Sequence, residues 1–149
     1  MGARSTAREA ALQMLFALEA SGADVERVIG DYWLETPGDP EDRVYADEVV
    51  RGVARELEQT DARLRAASKN WRLERMTRVD RSLLRLGAFE LAHRLDVPRA
   101  VILDEAVEIA KRYGTEESGA FVNGVLDRVA DDCGRTDTAP EPGGPAGGG

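Results

Sequence analysis

Three arginines recur at helical steps within the most basic stretch of the chain, residues 69–94. Arg78, Arg81 and Arg85 are three and four residues apart, so a helix would place them on one face. The stretch carries seven Lys and Arg residues against three Asp and Glu, whereas the 149-residue chain has a formal net charge of −8. Arg81 and Arg85 form a like-charge pair that costs an isolated helix roughly 0.2–0.5 kcal/mol, and an external anion would remove that cost. Two interpretations stay open: a solvated face, or a site for a polyanion such as nucleic acid.

Two further arginines, Arg4 and Arg8, lie at the predicted entrance of the first helix. The helix dipole is positive there, so an acidic side chain would be the favourable choice for folding. Free backbone amides together with arginines suit a phosphate, although two arginines at an exposed terminus can equally have no role. The acidic balance of the whole chain argues against indiscriminate coating of nucleic acid, so any such binding must be local.

No catalytic constellation accompanies these arginines. The sequence has no glycine-rich phosphate loop before a helix, no nucleophile elbow and no zinc-protease motif. Adjacent carboxylates such as Asp104 and Glu105 point about 100° apart on a helix, which does not suit joint acid–base work. His93 is the single histidine and Cys133 the single cysteine, which leaves neither a metal-ligand cluster nor a disulfide framework. The sequence therefore predicts a protein that is not an enzyme and that carries no metal or cofactor.

The elements that must position these side chains are helices throughout. Apolar residues recur at three- and four-residue steps, and no strand-like alternation competes with them. The predicted fold is all-α with about seven helices, and short connections make neighbouring helices antiparallel. The helices are expected from about Ala7 to Ala20, from Asp24 to Trp33, from Pro40 to Gln59, from Thr60 toward Asn70, from Thr77 to Asp96, from Ala100 to Tyr113 and from Glu116 to Asp131.

Local signals mark the helix ends and the close helix contacts. Side chains that can accept a hydrogen bond from a free backbone amide are predicted to cap four helices, at Thr6, Asp24, Thr77 and Thr115. Gly114 is expected to end the sixth helix with a positive φ. Gly52 and Gly124 lie inside helices, where each costs about 1 kcal/mol relative to Ala, and this predicts a close approach of another helix.

The chain is expected to form one helical domain over residues 1–133, followed by a tail over residues 134–149. The tail is rich in Pro and Gly and cannot bury enough apolar area to offset its ordering entropy, so it is predicted to be disordered and dispensable. The start has no signal-peptide core, and no apolar run approaches eighteen residues. A cytoplasmic protein without membrane contact is therefore expected.

Three motifs follow one another along the chain. Residues 7–16 read Ala-Arg-Glu-Ala-Ala-Leu-Gln-Met-Leu-Phe, residues 70–85 begin with Asn-Trp and contain Val-Asp-Arg, and residues 97–127 run from Val-Pro through Asp-Glu-Ala-Val to Phe-Val-Asn-Gly-Val-Leu-Asp. In order and spacing they resemble the NusB family of bacterial transcription antitermination factors, over about residues 4–131. The resemblance implies a seven-helix domain made of two small packed helical bundles.

The resemblance also implies a function. Proteins of that family bind the boxA sequence of nascent ribosomal RNA leaders together with NusE, a ribosomal small-subunit protein. They thereby help RNA polymerase to ignore termination signals within an antitermination complex. The RNA-contacting positions implied are Arg4, Arg8, Gln13, Phe16, Asp80, Arg85, Glu117 and Phe121, and the basic stripe adds Arg78 and Arg81. Unpaired bases can stack on Phe16 and Phe121, for which core packing is the alternative.

Two other functions stay open, and one departure from the family pattern lowers the expected affinity. By resemblance, the same helical domain precedes some ribosomal RNA cytosine methyltransferases, so the chain could be an accessory domain that assists an rRNA-modifying enzyme. A purely structural dimerising bundle would leave the basic stripe unexplained. Family members often begin with three or more consecutive arginines, whereas this chain has only Arg4 and Arg8. RNA binding is therefore expected to be weak, shallow in its salt dependence, and dependent on NusE.

Overall fold

The computed structural model describes residues 4–137, and within this range all regular structure is helical. The α-helices are α1 (Ser5–Ser21), α2 (Val25–Glu35), α3 (Pro40–Arg55), α4 (Leu57–Ala67), α5 (Arg78–His93), α6 (Arg99–Tyr113) and α7 (Ser118–Asp132). A short 3-10 turn, Leu73–Arg75, precedes α5. The predicted all-α fold with seven helices is confirmed. Every helix in residues 4–137 is too short or too polar to cross a bilayer.

Helix α5 is the central element, because it packs against α1, α3, α4, α6 and α7. Ten of its sixteen residues are buried, so nearly every face of the helix is covered. Helices α1, α2 and α3 pack together on one side, and α4, α6 and α7 pack together on the other. The two small bundles therefore share α5 as a common wall.

Glycines permit two of the close contacts that α5 makes. A Cβ at Gly52 of α3 would lie 2.1 Å from Cζ of Phe89, so the aromatic ring occupies the space that any larger residue would need. The predicted close approach at Gly52 is confirmed. Gly87 is similarly covered by Leu126 of α7, at 2.6 Å from its Cδ1. The same prediction for Gly124 is wrong, because this residue is exposed and no atom lies within 4 Å of its would-be Cβ.

Two predicted helix caps are present, and two are not. The Asp24 carboxylate accepts from the amide of Glu26, and the Thr77 hydroxyl accepts from the amide of Asp80. Thr6 is not a cap, because α1 begins one residue earlier and includes it. Thr115 is not a cap either: α7 begins at Ser118, whose hydroxyl accepts from the Thr115 amide.

The predicted ends of the sixth and third helices also need correction, the sixth in its conformation and the third in its position. Gly114 has φ −101°, so the end of α6 does not use the left-handed conformation that was expected there. The third helix ends at Arg55 rather than Gln59, because Glu56 leaves helical geometry with φ −102° and ψ 25°. Apolar spacing continues across this one-residue break, which is why the sequence pattern does not reveal it.

The residues that follow α7 pack against the helical body, and the prediction of a disordered tail is wrong for residues 134–137. Arg135 is 7% exposed and donates to the backbone carbonyl oxygens of Leu91, at 3.0 Å, and Val97, at 2.6 Å. It thereby satisfies carbonyl groups at the end of α5 and in the loop that follows, which would otherwise be unpaired. We call residues 134–137 the C-terminal strap. The remainder of the predicted tail, residues 138–149, lies outside the described residues.

Asp137 completes the strap by capping α6. This helix begins after Pro98, which offers no side-chain cap. The Asp137 carboxylate instead accepts from the backbone amide of Arg99 at 2.9 Å and binds the guanidinium of Arg135 at 2.8 Å. The hydrogen bonds from Arg135 and from the Arg99 amide hold the pKa of Asp137 well below its usual range. The carboxylate is therefore charged at neutral pH, as a helix N-terminus favours.

We expect a chain truncated after Cys133 to be less stable than one truncated after Asp137, by about 1–3 kcal/mol. The shorter chain loses the hydrogen bonds of a buried guanidinium and the cap of α6. Thermal or urea unfolding of the two chains measures the difference. Arg135→Ala in the longer chain should reproduce most of it, whereas Arg128→Ala on the exposed side of α7 should not. Equal midpoints for the two truncations would show that the strap contributes nothing.

Candidate nucleic-acid interface

Arg8, which was expected at the helix entrance as a possible phosphate contact, is buried and ion-paired. Its Nε and Nη2 donate to the Glu90 carboxylate at 2.8–3.1 Å, and its Nη1 lies 3.5 Å from Oε1 of Glu105. The Tyr45 hydroxyl donates to Oε2 of Glu90 at 2.5 Å. These contacts join α1, α3, α5 and α6 in one cluster, in which Arg8 is 3% exposed and Glu90 1%.

The positive charge of Arg8 is favoured despite its burial. Burial opposes the charge on Arg8, but the charge and hydrogen bonds of Glu90 outweigh it, so the pKa of Arg8 is raised. Burial, reinforced by Glu90, raises the pKa of Tyr45 far above its ordinary value, so the hydroxyl remains a donor. The guanidinium of Arg8 thus has a structural role in this conformation. Arg4 remains accessible at 42% exposure, with its guanidinium 4.3 Å from the centre of the Tyr45 ring.

The arginine stripe of α5 exists, but a carboxylate of the same chain already occupies it. Both oxygens of Glu19 on α1 accept from Arg81, at 2.6 and 2.7 Å. The same carboxylate accepts from Arg85 at 3.0 Å and lies 3.5 Å from Nε of Arg78. Arg85 also donates to both oxygens of Asp61 at 2.9 and 3.0 Å. Glu19 and Asp61 therefore relieve the repulsion within the stripe, so an external anion is not required for this.

These arginines differ sharply in their exposure. Arg81 and Arg85 are 14% and 17% exposed, whereas Arg78 is 53% exposed. Hydrogen bonding by Arg81 holds the pKa of Glu19 below its usual range, so this carboxylate is charged at neutral pH. Arg81 Nη1 also donates to the carbonyl oxygens of Leu73 and Met76, which fixes the segment that precedes α5. Only Arg78 among the three offers a largely accessible guanidinium.

Exposed aromatic side chains occur beside Arg78 and in the segment before it. Phe16 is 38% exposed, and the Arg78 guanidinium lies 5.8 Å from the centre of its ring. Core packing is therefore not the role of Phe16. Gln13 is exposed one turn earlier on α1 and accepts from the hydroxyl of Tyr32 at 2.9 Å.

Trp71 is a candidate site residue that sequence reasoning missed. It is 62% exposed, and its ring meets that of Phe121 edge-on, with centroids 5.8 Å apart. Phe121 is partly buried and packs against the core, as the core-packing alternative expects, and its stacking on an RNA base stays a prediction. A shallow cavity of about 240 Å³ lies between residues 67–71 and α7 beside this pair. An aromatic residue in a polar segment, between Lys69 and Arg72, was the available signal.

Two carboxylates complete the set of predicted residues. Asp80 lies in the first turn of α5, 9% exposed, and its Oδ1 is buried without a hydrogen bond. Such an unpaired acceptor is uncommon and can receive an incoming donor. Glu117 is exposed and directly precedes α7, because the helix begins at Ser118 and not at Glu116 as predicted, and its Oε2 accepts from the Thr115 hydroxyl at 3.2 Å.

The helix directions place most of these residues at one end of the domain. Contacts of Arg8 with Glu90 and of Glu19 with Arg81 make α1 and α5 antiparallel, so the last turns of α1 lie beside the start of α5. Trp71 precedes α5 and touches the first turn of α7. We call this group the aromatic end, and it comprises Phe16, Trp71, Arg78, Asp80, Glu117 and Phe121, whereas Gln13 lies at the middle of α1. Arg4 lies at the opposite end of α1, about 18 Å from Phe16 along the helix axis.

Exposed rings beside an accessible guanidinium, on a rigid helical frame, are typical of modules that bind single-stranded nucleic acid. The model of the NusB family matches residues 5–131, and the chain belongs to this family.

Individual relatives agree with the family match. The chain is 71% identical over 137 residues to the transcription antitermination protein NusB of Sorangium cellulosum, covering 92% of this chain and 98% of the relative. It is 48% identical over 134 residues to that of Myxococcus xanthus, covering 87% and 96%. Among solved structures, T. maritima NusB shares 39% identity with a TM-score of 0.81, covering 88% and 92% of the two chains. A chain from a complex of the antitermination factors NusB and NusE with dsRNA shares 26% identity with a TM-score of 0.78, covering 87% and 96%.

We expect Glu90→Gln to destabilise the domain by about 3–5 kcal/mol, because it leaves the buried guanidinium of Arg8 without its charged partner. Glu108→Gln, at an exposed position of α6, removes the same charge and should change stability by less than about 0.5 kcal/mol. Urea unfolding of both variants measures the difference. Similar midpoints would contradict the structural role assigned to the buried pair.

Proposed function

We propose that this protein is a transcription antitermination factor that binds boxA-type single-stranded RNA in nascent ribosomal RNA transcripts together with NusE. In this role it acts with RNA polymerase in an antitermination complex and promotes processive transcription of ribosomal RNA operons, in the bacterial cytoplasm. Family membership and the 71% identity across nearly the whole of one such factor support this function. The proposed role is non-covalent binding and includes no catalytic step.

The pairing of Trp71 with Phe121 is the observation that carries the RNA-binding part of the proposal. Bases of single-stranded RNA are unstacked and can lie against exposed rings, which contributes about 1–3 kcal/mol per base. Trp71 offers most of its surface, and Phe121 holds it in place from a partly buried position. On α1, Phe16 with Arg78 provides a second place where a base could stack or a phosphate could bind.

Electrostatics make this a weak binder on its own. The net charge of −8 repels a polyanion, and only Arg78 and Arg4 among the predicted arginines are well exposed. Few phosphates can therefore be neutralised, so the salt dependence of binding should be shallow. A basic partner bound beside the aromatic end would add the missing positive charge, which agrees with joint binding by NusE.

The alternative of an accessory domain for an rRNA-modifying enzyme is not favoured. The two relatives described above are antitermination proteins, and the match covers 98% of the relative from Sorangium cellulosum. Because so little of that relative lies outside the match, the likeness is to a protein of this size rather than to one module of a larger enzyme.

We expect Trp71→Ala to weaken binding of boxA RNA by about 1–3 kcal/mol, because one base loses its stacking surface. Fluorescence anisotropy with a labelled boxA RNA, in the presence and absence of purified NusE, measures the change. Leu95→Ala removes a side chain of similar exposure, 69%, far from the aromatic end and serves as the matched control. Equal affinities of the Trp71→Ala variant and the unchanged protein would remove Trp71 from the site.

Glu117→Gln should tighten RNA binding and slightly lower the stability. The carboxylate at the start of α7 stabilises the helix dipole by a few tenths of a kcal/mol, but it repels phosphate bound near the aromatic end. The gain in affinity should be largest at low salt, where the repulsion is least screened. Titrations of boxA RNA at two salt concentrations test this.

Glu116→Gln, the exposed neighbour, controls for net charge alone. Weaker binding by Glu117→Gln, or a gain that does not shrink as the salt concentration rises, would mean that Glu117 holds the RNA or acts through structure.

A further inference from the structure

Glu19 and the arginines around it occupy electrostatically unfavourable positions on their own helices. Glu19 lies in the last turn of α1, where the helix dipole is negative, and Arg78 is the first residue of α5, where it is positive. Arg81, one turn later, is still close to that positive end. Each charge would be disfavoured alone, so the carboxylate and the guanidinium groups depend on one another.

The three arginines are held by Glu19 to different degrees. Arg81 is held most firmly, because it donates four hydrogen bonds to Glu19 and to two backbone carbonyl oxygens. Arg85 keeps Asp61 as a second partner. Arg78 makes only a 3.5 Å ion pair with Glu19, makes no hydrogen bond to it, and is half exposed above the ring of Phe16. Arg78 is therefore the arginine that can exchange partners at least cost.

We propose that Glu19 is an internal competitor of the RNA backbone: its carboxylate occupies the position that a phosphate would take among Arg78, Arg81 and Arg85, and so limits RNA affinity. This rests on the proposed RNA-binding function. Phosphate and sulfate resemble a carboxylate in charge and in their acceptor oxygens, and arginine binds all of them through charge-assisted hydrogen bonds. The 22% exposure of Glu19 places the site at the protein surface, where an anion can reach it.

Removal of the Glu19 charge should therefore create an anion site. In Glu19→Gln, Arg85 keeps Asp61, whereas Arg78 and Arg81 lose the carboxylate with which they are paired. Their mutual repulsion should lower the stability, and an inorganic anion should restore it by binding to the folded state. The same vacancy should accept one RNA phosphate, with Arg78 as the group that gains most.

The test compares Glu19→Gln with Glu26→Gln, which removes the same charge from an exposed carboxylate paired with a single arginine, Arg51. The first measurement is the thermal midpoint as a function of sulfate concentration. We expect sulfate to raise the midpoint of Glu19→Gln clearly more than that of Glu26→Gln. Equal sulfate responses would overturn the proposed anion site, whatever the protein does with RNA.

The second measurement is the affinity for boxA RNA at low and high salt. Glu19→Gln should bind about three- to tenfold more tightly at low salt, with a salt slope steeper by about 0.7, the value for one further phosphate contact on a single strand. Adding Glu19→Gln to the Arg78→Ala variant should bring no gain in affinity over Arg78→Ala alone. Unchanged or weaker RNA binding by folded Glu19→Gln, or a gain that survives Arg78→Ala, would overturn the proposal.

Two further comparisons keep the result interpretable. Glu19→Asp retains a carboxylate for Arg81 but is one methylene shorter, so it should fold if Glu19→Gln does not, and should tighten RNA binding in the same direction by a smaller factor. Unchanged or weaker binding by Glu19→Asp would count against the proposal. If the unchanged protein shows no preference for boxA RNA over a scrambled RNA, the proposed function fails, while the sulfate comparison still decides the anion site.

Discussion

The buried carboxylate of Glu90 is the constraint on which the arrangement of the helices depends. Removing an ion from water costs several kcal/mol even after relaxation, so a carboxylate that is 1% exposed requires close and well-directed partners. Arg8 supplies a bidentate ion pair and Tyr45 a short hydrogen bond. Because these partners come from α1 and α3 while Glu90 belongs to α5, the ion cluster fixes the register of three helices. That register places the other end of α1 beside the start of α5, where the aromatic end is formed.

Arginine content alone is a poor guide to the nucleic-acid surface of this protein. Arg8, Arg81 and Arg85 form ion pairs with carboxylates of the same chain, and these ion pairs join different helices. The proposed RNA surface consists of aromatic rings, one half-exposed guanidinium and carboxylates that repel phosphate. Such a surface suits unpaired bases better than the phosphate backbone, so the proposal assigns much of the electrostatic attraction to a partner protein.

Local features of the fold could be predicted from the sequence, whereas long-range pairings could not. The Thr77 cap follows from a residue and an amide three positions apart, and helix positions follow from apolar spacing within one element. The ion pair between Arg8 and Glu90 joins residues 82 positions apart, and Arg135 reaches Leu91 across 44 positions. Composition and spacing describe neighbours along the chain, so they cannot reveal which distant carboxylate or carbonyl a given arginine will bind.

The central claim is that RNA binds at the aromatic end, and the indole N–H resonances of the two tryptophans test it most directly. Trp71 is exposed beside Phe121, whereas the Trp33 indole donates to Asp47 at 2.7 Å and provides an internal control. Titration of ¹⁵N-labelled protein with boxA RNA, with NusE present, should shift or broaden the Trp71 indole signal and leave that of Trp33 in place. An unmoved Trp71 signal at saturating RNA, with backbone shifts grouped around Arg4 instead, would contradict the account.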